Sequence, residues 1–545
     1  MSGTRANGDG PSTDGVPAEV PAEVPADGAD AAPAPGTPAD VPWQKLDRRT
    51  VLISSLLMGG IAFSGGVPTF VALVVPFGAA RALGWVLGGA ALFILGSAGL
   101  EYLRWRHTRY RIGPERAELH TGLLLVKRRS LRRERIRTVD LTAHPLLRVL
   151  GLVKVRIGTG EHSAGGADSI LQINPVTRQE GDRLRRELLS RAAQQDDGEN
   201  VDGRLATLDP RWIKYAPVSF AAPLLGLAAG GAVMQGSEWF GLQAKVIEWV
   251  GDLFEGAAVL WMILTLALVL LVAGVVGALG LFVEMWWGYR LDREPGGTLR
   301  VQRGLFTSRS ISIEERRLRG VEVLEPLGIR LSGAARVDAV ATGLAETETD
   351  QKTDRKTLVP AVPRPVADAV AARVLREPVS PTSAVRLRAH PVAARGRRLR
   401  WALGSVLTLV AVLLLLGVLL TQVLVWVAGA AAVLLLPVAA LLAVDAYRSL
   451  GHGLTGAYLV VRSGSVRRAT VALRRDGVIG FTVKQSVFQR RKGLVTVTAT
   501  TAAGTGAYSA YDAGQAEGLE FAAEAVEGLL GPFLERDPDS TPQHA

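Results

Sequence analysis

Apolar residues in this chain gather in long stretches, and between them lie polar segments whose apolar residues come only in short runs. The long stretches fall near 51–74, 80–100, 216–234, 257–283, 400–420 and 422–443. About 20 apolar residues suffice to cross roughly 30 Å of hydrocarbon as a helix, so the pattern predicts six spans in three pairs. Pro76 and Arg81 break the first pair, and only Thr421 and Gln422 separate the last, which predicts a tight hairpin. The Gly-rich first and third stretches (GGIAFSGGVP, GLAAGGAV) carry the weakest span signal.

The intervening segments, about 104–200, 287–380 and 448–536, read as short strands followed by one helix. In the first, AELHTGLLLV predicts a hairpin turning at Thr121 and Gly122, and IRTVDL, VKVRIGT and SILQI are strand-like runs with Gly or Pro breaks. Pro175 and the helical pattern RQEGDRLRRELLSRAA follow; the other two segments end in PAVPRPVADAVAARVLR and AGQAEGLEFAAEAVEGLL. Each segment therefore reads as a small antiparallel barrel or sandwich with a C-terminal helix.

Three glycine pairs, Gly122 with Gly151, Gly304 with Gly333 and Gly464 with Gly493, share a separation of 29 residues, and Arg148, Arg330 and Arg490 follow each first glycine by 26. One unit copied three times explains this spacing, with the glycines at turns that need positive φ. The expected organisation is a disordered acidic tail over 1–40, hairpins over 41–103, 201–286 and 381–447, β domains over 104–200, 287–380 and 448–536, and a short tail over 537–545. Residues 1–40 are rich in Pro, Ala, Gly and acids, with Arg5 the only base. Such a stretch buries too little apolar surface to fold, and it lacks the basic start of a secretory signal, so the first hydrophobic stretch reads as an uncleaved span.

Composition agrees with a mixed membrane and soluble chain: 48% hydrophobic yet 21% charged over 545 residues. There is no cysteine, which excludes disulfides, thiolate nucleophiles and cysteine metal sites. The net charge of +11 suggests an anionic surface, and abundant spans favour lipid over nucleic acid. Lys45, Arg48 and Arg49, then Arg104, Arg106, Arg109 and Arg111, then Arg395, Arg397, Arg398 and Arg400 flank the spans on one side, while the loop near 235–256 is acidic. By the positive-inside rule the tail and β domains should be cytoplasmic in a multi-pass protein of the cell membrane.

With these features in place, a resemblance can be given. Tyr110-Arg111, Thr121-Gly122-Leu123, Arg135-Ile136-Arg137-x-Val139 and Leu146-Leu147-Arg148-Val149-Leu150-Gly151-Leu152 resemble the bacterial pleckstrin-homology-like domains of multipass membrane proteins. Tyr289-Arg290, Arg303-Gly304-Leu305, Arg317-Leu318-Arg319-x-Val321 and Arg330-x-x-Gly333 repeat the pattern. The third copy departs, with His452 at the tyrosine and Gly477-Val478 at Arg-Ile, but keeps Ser463-Gly464 and Gly493-Leu494-Val495. The resemblance implies an α+β membrane protein, six helices in three hairpins, each followed by a PH-like β domain. Phosphoinositide binding by related eukaryotic domains does not transfer with the fold.

Candidate binding residues are the basic run Lys127, Arg128, Arg129, Arg132, Arg133, Arg135 and Arg137, with Arg317 and Arg319 in the second copy and Arg490, Arg491 and Lys492 in the third. Beside an anionic leaflet each basic residue adds about 1 kcal/mol; the other reading is a solvated hairpin that only sets topology. Glu101, Glu284 and Asp445 close the three hairpins beside Tyr102, Trp286 and Tyr447, as interfacial acids that either move ions or pair with Arg104, Arg290 or Arg448. No phosphate loop, zinc helix, nucleophile elbow or dinucleotide fingerprint occurs, and no two of the seven histidines fall at helical spacing. The expectation is a non-enzymatic protein without cofactor or metal. It would bind anionic lipids, a membrane or cytoplasmic protein, or itself, in scaffolding, envelope maintenance or resistance to membrane-active peptides. A transporter or channel component is the second reading and a lipid-modifying enzyme a third.

Overall fold

The computed structural model describes residues 42–122, 126–136, 138–158, 170–189, 203–219, 221–294, 296–342 and 356–529. The two expected tails and Arg137 lie outside them, as do the side chain of Arg135 and residues 159–169.

Three units of similar element order follow one another, the second with an extra helix and the third opening on a helix in place of a strand. The first comprises β1 (Gln44–Lys45), α1 (Arg49–Phe77), α2 (Ala79–His107), β2 (Arg109–Ile112), β3 (Arg116–Thr121), β4 (Lys127–Arg132), β5 (Thr138–Ala143), α3 (Pro145–Val149), β6 (Leu152–Gly158), β7 (Ile170–Thr177) and α4 (Arg178–Leu189). The second has β8 (Arg204–Thr207), α5 (Ala221–Trp239), α6 (Gln243–Leu253), α7 (Val259–Trp286), β9 (Arg290–Glu294), β10 (Thr298–Arg303), β11 (Ser308–Glu314), β12 (Leu318–Pro326), α8 (Leu327–Leu331), β13 (Ala334–Ala341), β14 (Thr357–Pro363) and α9 (Arg364–Leu375). The third has α10 (Pro381–Ala384), α11 (Val392–Leu419), α12 (Gln422–Arg448), β15 (Gly451–Thr455), β16 (Tyr458–Ser463), β17 (Arg467–Arg474), β18 (Val478–Lys484), α13 (Val487–Arg490), β19 (Leu494–Thr501), β20 (Ala507–Gly514) and α14 (Gln515–Ala525).

Among the described residues five helices, α1, α2, α7, α11 and α12, are long and apolar enough to cross a membrane. The expected third span is α5, which at 19 residues is shorter than these five. Its glycines let it lie against α7: a Cβ on Gly226 would sit 2.0 Å from the Leu270 carbonyl oxygen, and one on Gly274 1.9 Å from that of Ala222. Small residues of this kind let helices approach backbone to backbone. Between α5 and α7, α6 has no buried residue and exposes Ile247, Trp249 and Leu253.

Of the barrel and sandwich alternatives, the β domains keep the two packed half-sheets of a sandwich, but their sheets are shared between units. A short 3-10 turn ends β4, β11 and β17, and the strand that follows leaves for another sheet. The sheets are open, with orders β1-β2-β3-β4, β7-β6-β5-β11-β10-β9-β8, β14-β13-β12-β17-β16-β15 and β18-β19-β20. The middle two are each half from one unit and half from the next. Their junctions share one register: Ala143 faces Ser308 and Leu141 faces Ser310, as Glu325 faces Arg468 and Val323 faces Thr470. Within each unit the two half-sheets still pack face to face. Tyr110 and Leu119 meet Val155, Ile173 and Leu184 in the first core, while Leu459 and Leu473 meet Ala499, Tyr508 and Phe521 in the third. The edges are joined because an unpaired strand carries a row of unsatisfied N–H and C=O groups that a neighbouring edge can satisfy.

Candidate functional site

The six repeated glycines all have positive φ, from 60° at Gly493 to 136° at Gly122. At Gly304 the turn is also crowded, because a Cβ would stand 1.9 Å from the Thr307 carbonyl oxygen. This turn brings its backbone N–H groups to the end of the preceding span. Glu284, near the end of α7, accepts from Phe306 N at 2.8 Å and Thr307 N at 2.9 Å. Asp445, near the end of α12, accepts from Ser465 Oγ at 2.7 Å and from Arg330 at 2.7 Å. The expected partners Arg290 and Arg448 are therefore not the ones used, whereas Glu101 does pair with Arg104, at 3.6 Å. Glu284 and Asp445 thus tie the end of a long helix to the β-turn that follows in the same unit.

The recurrent arginines reach across units. Arg148 donates to the Leu305 carbonyl in the second unit, and Arg330 pairs with Asp445 in the third. Arg490, at the corresponding place, is exposed and makes no ion pair among the described residues.

Two clefts lie where hairpins meet β domains. The larger, of about 410 Å³, sits at the junction of the first and second units, directly beyond the end of α7. Trp287 and Gly288 form the end of it next to α7, and its described lining holds Arg148, Arg178, Arg290, Arg300, Arg303 and Arg309 against a single acid, Asp182. Arg303 is buried and stacks on Trp286, 4.3 Å from the ring centroid. Arg300 reaches Glu294 at 3.0 Å and Ser310 Oγ at 3.0 Å, with Asp182 at 3.6 Å. Burial alone would raise the Glu294 pKa; hydrogen bonds and charge from Arg185 and Arg300 nevertheless hold it below the usual carboxylate value. Arg178 and Arg290 are exposed and form no ion pair among the described residues. Guanidinium groups converging in this way suit a phosphate, which accepts their forked hydrogen bonds.

A second cleft of about 360 Å³ lies in the first unit between the ends of α1 and α2 and the β sheet. Lys127 and Arg129 from the basic run meet Arg104 and Lys154 here, with Glu101 the only acid among the described residues that line it. His144 lines it too, its pKa lowered by burial and then by Lys154.

Other residues of the basic set are placed differently. Arg128 and Arg132 are exposed on β4. Arg133 turns inward to the carbonyls of Gly113 and Glu187. Arg317 pairs with Glu314 at 2.7 Å and donates to the Ile136 carbonyl at 3.0 Å, and Arg319 stands 3.6 Å from Asp476. These two bind neighbouring units together and line neither cleft. Arg491 and Lys492 are exposed beside Arg490 and the apolar Val487 and Phe488. Among the described residues no group of three or more His, Asp or Glu could hold a metal ion.

Residues 65–192 and 402–524 match the bacterial PH domain family. Over these two stretches, a little under half of its length, the chain matches bacterial PH domains. Both matched stretches begin inside a hairpin, so the PH-domain match takes in span and β domain together. The chain is also similar to the UPF0699 transmembrane protein YdbT of Bacillus subtilis, 22% identical over 263 residues, covering 46% of this chain and 52% of that protein. It thus spans about half the length of this curated relative. No solved structure matches. The arginines of the larger cleft escaped the sequence reading as a group because they come from α3, α4, β9, β10 and β11, never as a run. The signals were Arg148, Tyr289-Arg290 and Arg303-Gly304, each visible as a repeated motif without an evident role.

Proposed function

We propose that this protein is a non-enzymatic scaffold of the cell membrane whose bacterial PH domains hold anionic lipid headgroups in the clefts beneath their spans. The observation that carries the reading is the junction cleft, where six arginines face one aspartate next to Trp287 at the membrane end of α7. A phosphodiester headgroup of a lipid whose tails lie beside α7 would reach it without leaving the leaflet. In this reading α5 is a sixth, short span, the three hairpins are all membrane-inserted, and the β domains face the cytoplasmic, anionic leaflet. Scaffolding, envelope maintenance or resistance to membrane-active peptides would follow from clustering such lipids.

The test is lipid retention by the full-length protein. Arg178 and Arg290 are exposed cleft arginines whose side chains have neither an ion pair nor a hydrogen bond among the described residues, so Arg178→Gln with Arg290→Gln removes attraction and leaves the internal bonds intact. At about 1 kcal/mol per basic residue the double variant loses about 2 kcal/mol, roughly thirtyfold in affinity. Native mass spectrometry should show phosphatidylglycerol or cardiolipin retained by the wild type and shed by the variant. Equal retention, or equal retention of phosphatidylcholine, would defeat the proposal.

A further inference from the structure

We infer that the array of β domains continues between molecules, with β18 of one chain pairing edge to edge with β4 of a second copy. Inside the chain this contact occurs twice, β5 on β11 and β12 on β17, in one register. The strands that would make it a third time are left over at the two ends of the array: among the described residues β4 pairs only with β3, and β18 only with β19. Each is the counterpart of a strand already joined, β4 of β11 and β17, β18 of β5 and β12. A strand edge of this kind is completed by adding another strand.

Four further features fit a missing neighbour. In β12, Gly320 lets β17 approach so closely that a Cβ would stand 1.9 Å from the Ala472 carbonyl oxygen; the corresponding Gly480 of β18 has nothing within 4 Å. Leu141 and Val323, at equivalent places in the two junctions, are buried, whereas Val483 is 38% exposed. Arg148 and Arg330 each dock on the next unit, while Arg490 faces none. A second copy would offer it the end of α2 with Glu101, the counterpart of Glu284 and Asp445. Lastly, the cations of β4 repel another β4 and leave the nearly uncharged β18 edge as the matching partner. Because the two surfaces differ, the contact is heterologous and builds rings or filaments in the membrane plane.

The shared register places Val483 opposite Arg128 and Gly480 opposite Leu131. It also sets Lys484 against Lys127, an unfavourable pair, so Lys484→Glu should strengthen assembly. The chain has no cysteine, which makes disulfide trapping clean. Full-length chains carrying Arg128→Cys or Val483→Cys are co-expressed in membranes and oxidised. The expected result is a dimer that requires both cysteines and that falls roughly tenfold or more when Gly480→Val is added. A chain with Thr142→Cys and Arg309→Cys, which face each other inside one molecule, confirms that oxidation works and that the Gly480→Val chain folds. With that control positive, absence of the mixed dimer overturns the inference. So does a dimer of Val483→Cys chains alone, or a disulfide to another polypeptide.

Discussion

Gly320→Ala should separate the second and third units without touching either core. Gly320 faces Leu473 across the β12–β17 junction, which runs over seven paired residues to Pro326 and Arg467. An added Cβ would lie 1.9 Å from the Ala472 carbonyl oxygen, 3.0 Å from its carbon and 3.1 Å from Leu473 Cα. Ordinary C···O contact needs about 3.3 Å, so β17 must retreat by roughly 1.4 Å there. Ladder bonds near 2.9 Å then stretch to about 4 Å and are lost. Two such bonds at about 1 kcal/mol each, with about 1–2 kcal/mol for overpacking, make a cost of about 3–4 kcal/mol. Gly480→Ala is the matched control, since nothing lies within 4 Å of that position. Hydrogen exchange of the full-length protein should show lost protection over 467–474 for Gly320→Ala and none for Gly480→Ala. Equal protection in the two variants would refute the idea that a shared, close-packed sheet joins the units.

Three other outcomes follow from particular contacts. His452 Nδ1 lies 2.9 Å from His390 Nε2 inside the third unit; burial first, then His390 and Arg388, push its pKa from 6.5 down to about 4. A depressed histidine pKa makes the neutral form native, so stability is full above pH 6.5 and is lost as pH falls from 6.5 toward 4. The loss reaches about 3 kcal/mol at 1.36 kcal/mol per unit, and thermal melts of His452→Gln against wild type should show a shallower fall. Arg330→Ala leaves Asp445 with Ser465 alone and should loosen the turn at 464–467 by about 1 kcal/mol, read as faster hydrogen exchange there with the cores unchanged. Gly226→Val should part α5 from α7; a Leu225→Cys, Gly277→Cys disulfide, favoured because a Cβ on Gly277 would lie 3.5 Å from that of Leu225, should form readily without it and poorly with it.

The five long apolar helices were legible because hydrophobic length is a local property, and the sequence boundaries of α12 differ from the observed Gln422–Arg448 by a few residues. The turn glycines were legible for the same reason, since positive φ is required at one residue. Sheet partners were not. β4 and β5 are neighbours in sequence, so a barrel or sandwich closed within one unit was the natural reading, yet β5 pairs with β11, in the next unit. Nothing in the pattern of either strand distinguishes those two edges; the choice is made by how the units stack. The cleft arginines were hidden likewise, because Arg178 and Arg290 meet only once the sheets are shared. The dense basic run at 127–137 drew attention by its charge, and only Lys127 and Arg129 of it line a cleft.

The central claim is that the junction cleft holds an anionic headgroup in the membrane. A photo-reactive amino acid in place of Gln302, whose side chain lines that cleft, would test it in intact membranes. On irradiation the account predicts covalent capture of phosphatidylglycerol or cardiolipin, reduced by Arg178→Gln with Arg290→Gln. Capture of no lipid, or of zwitterionic lipid in proportion to its abundance, would contradict it.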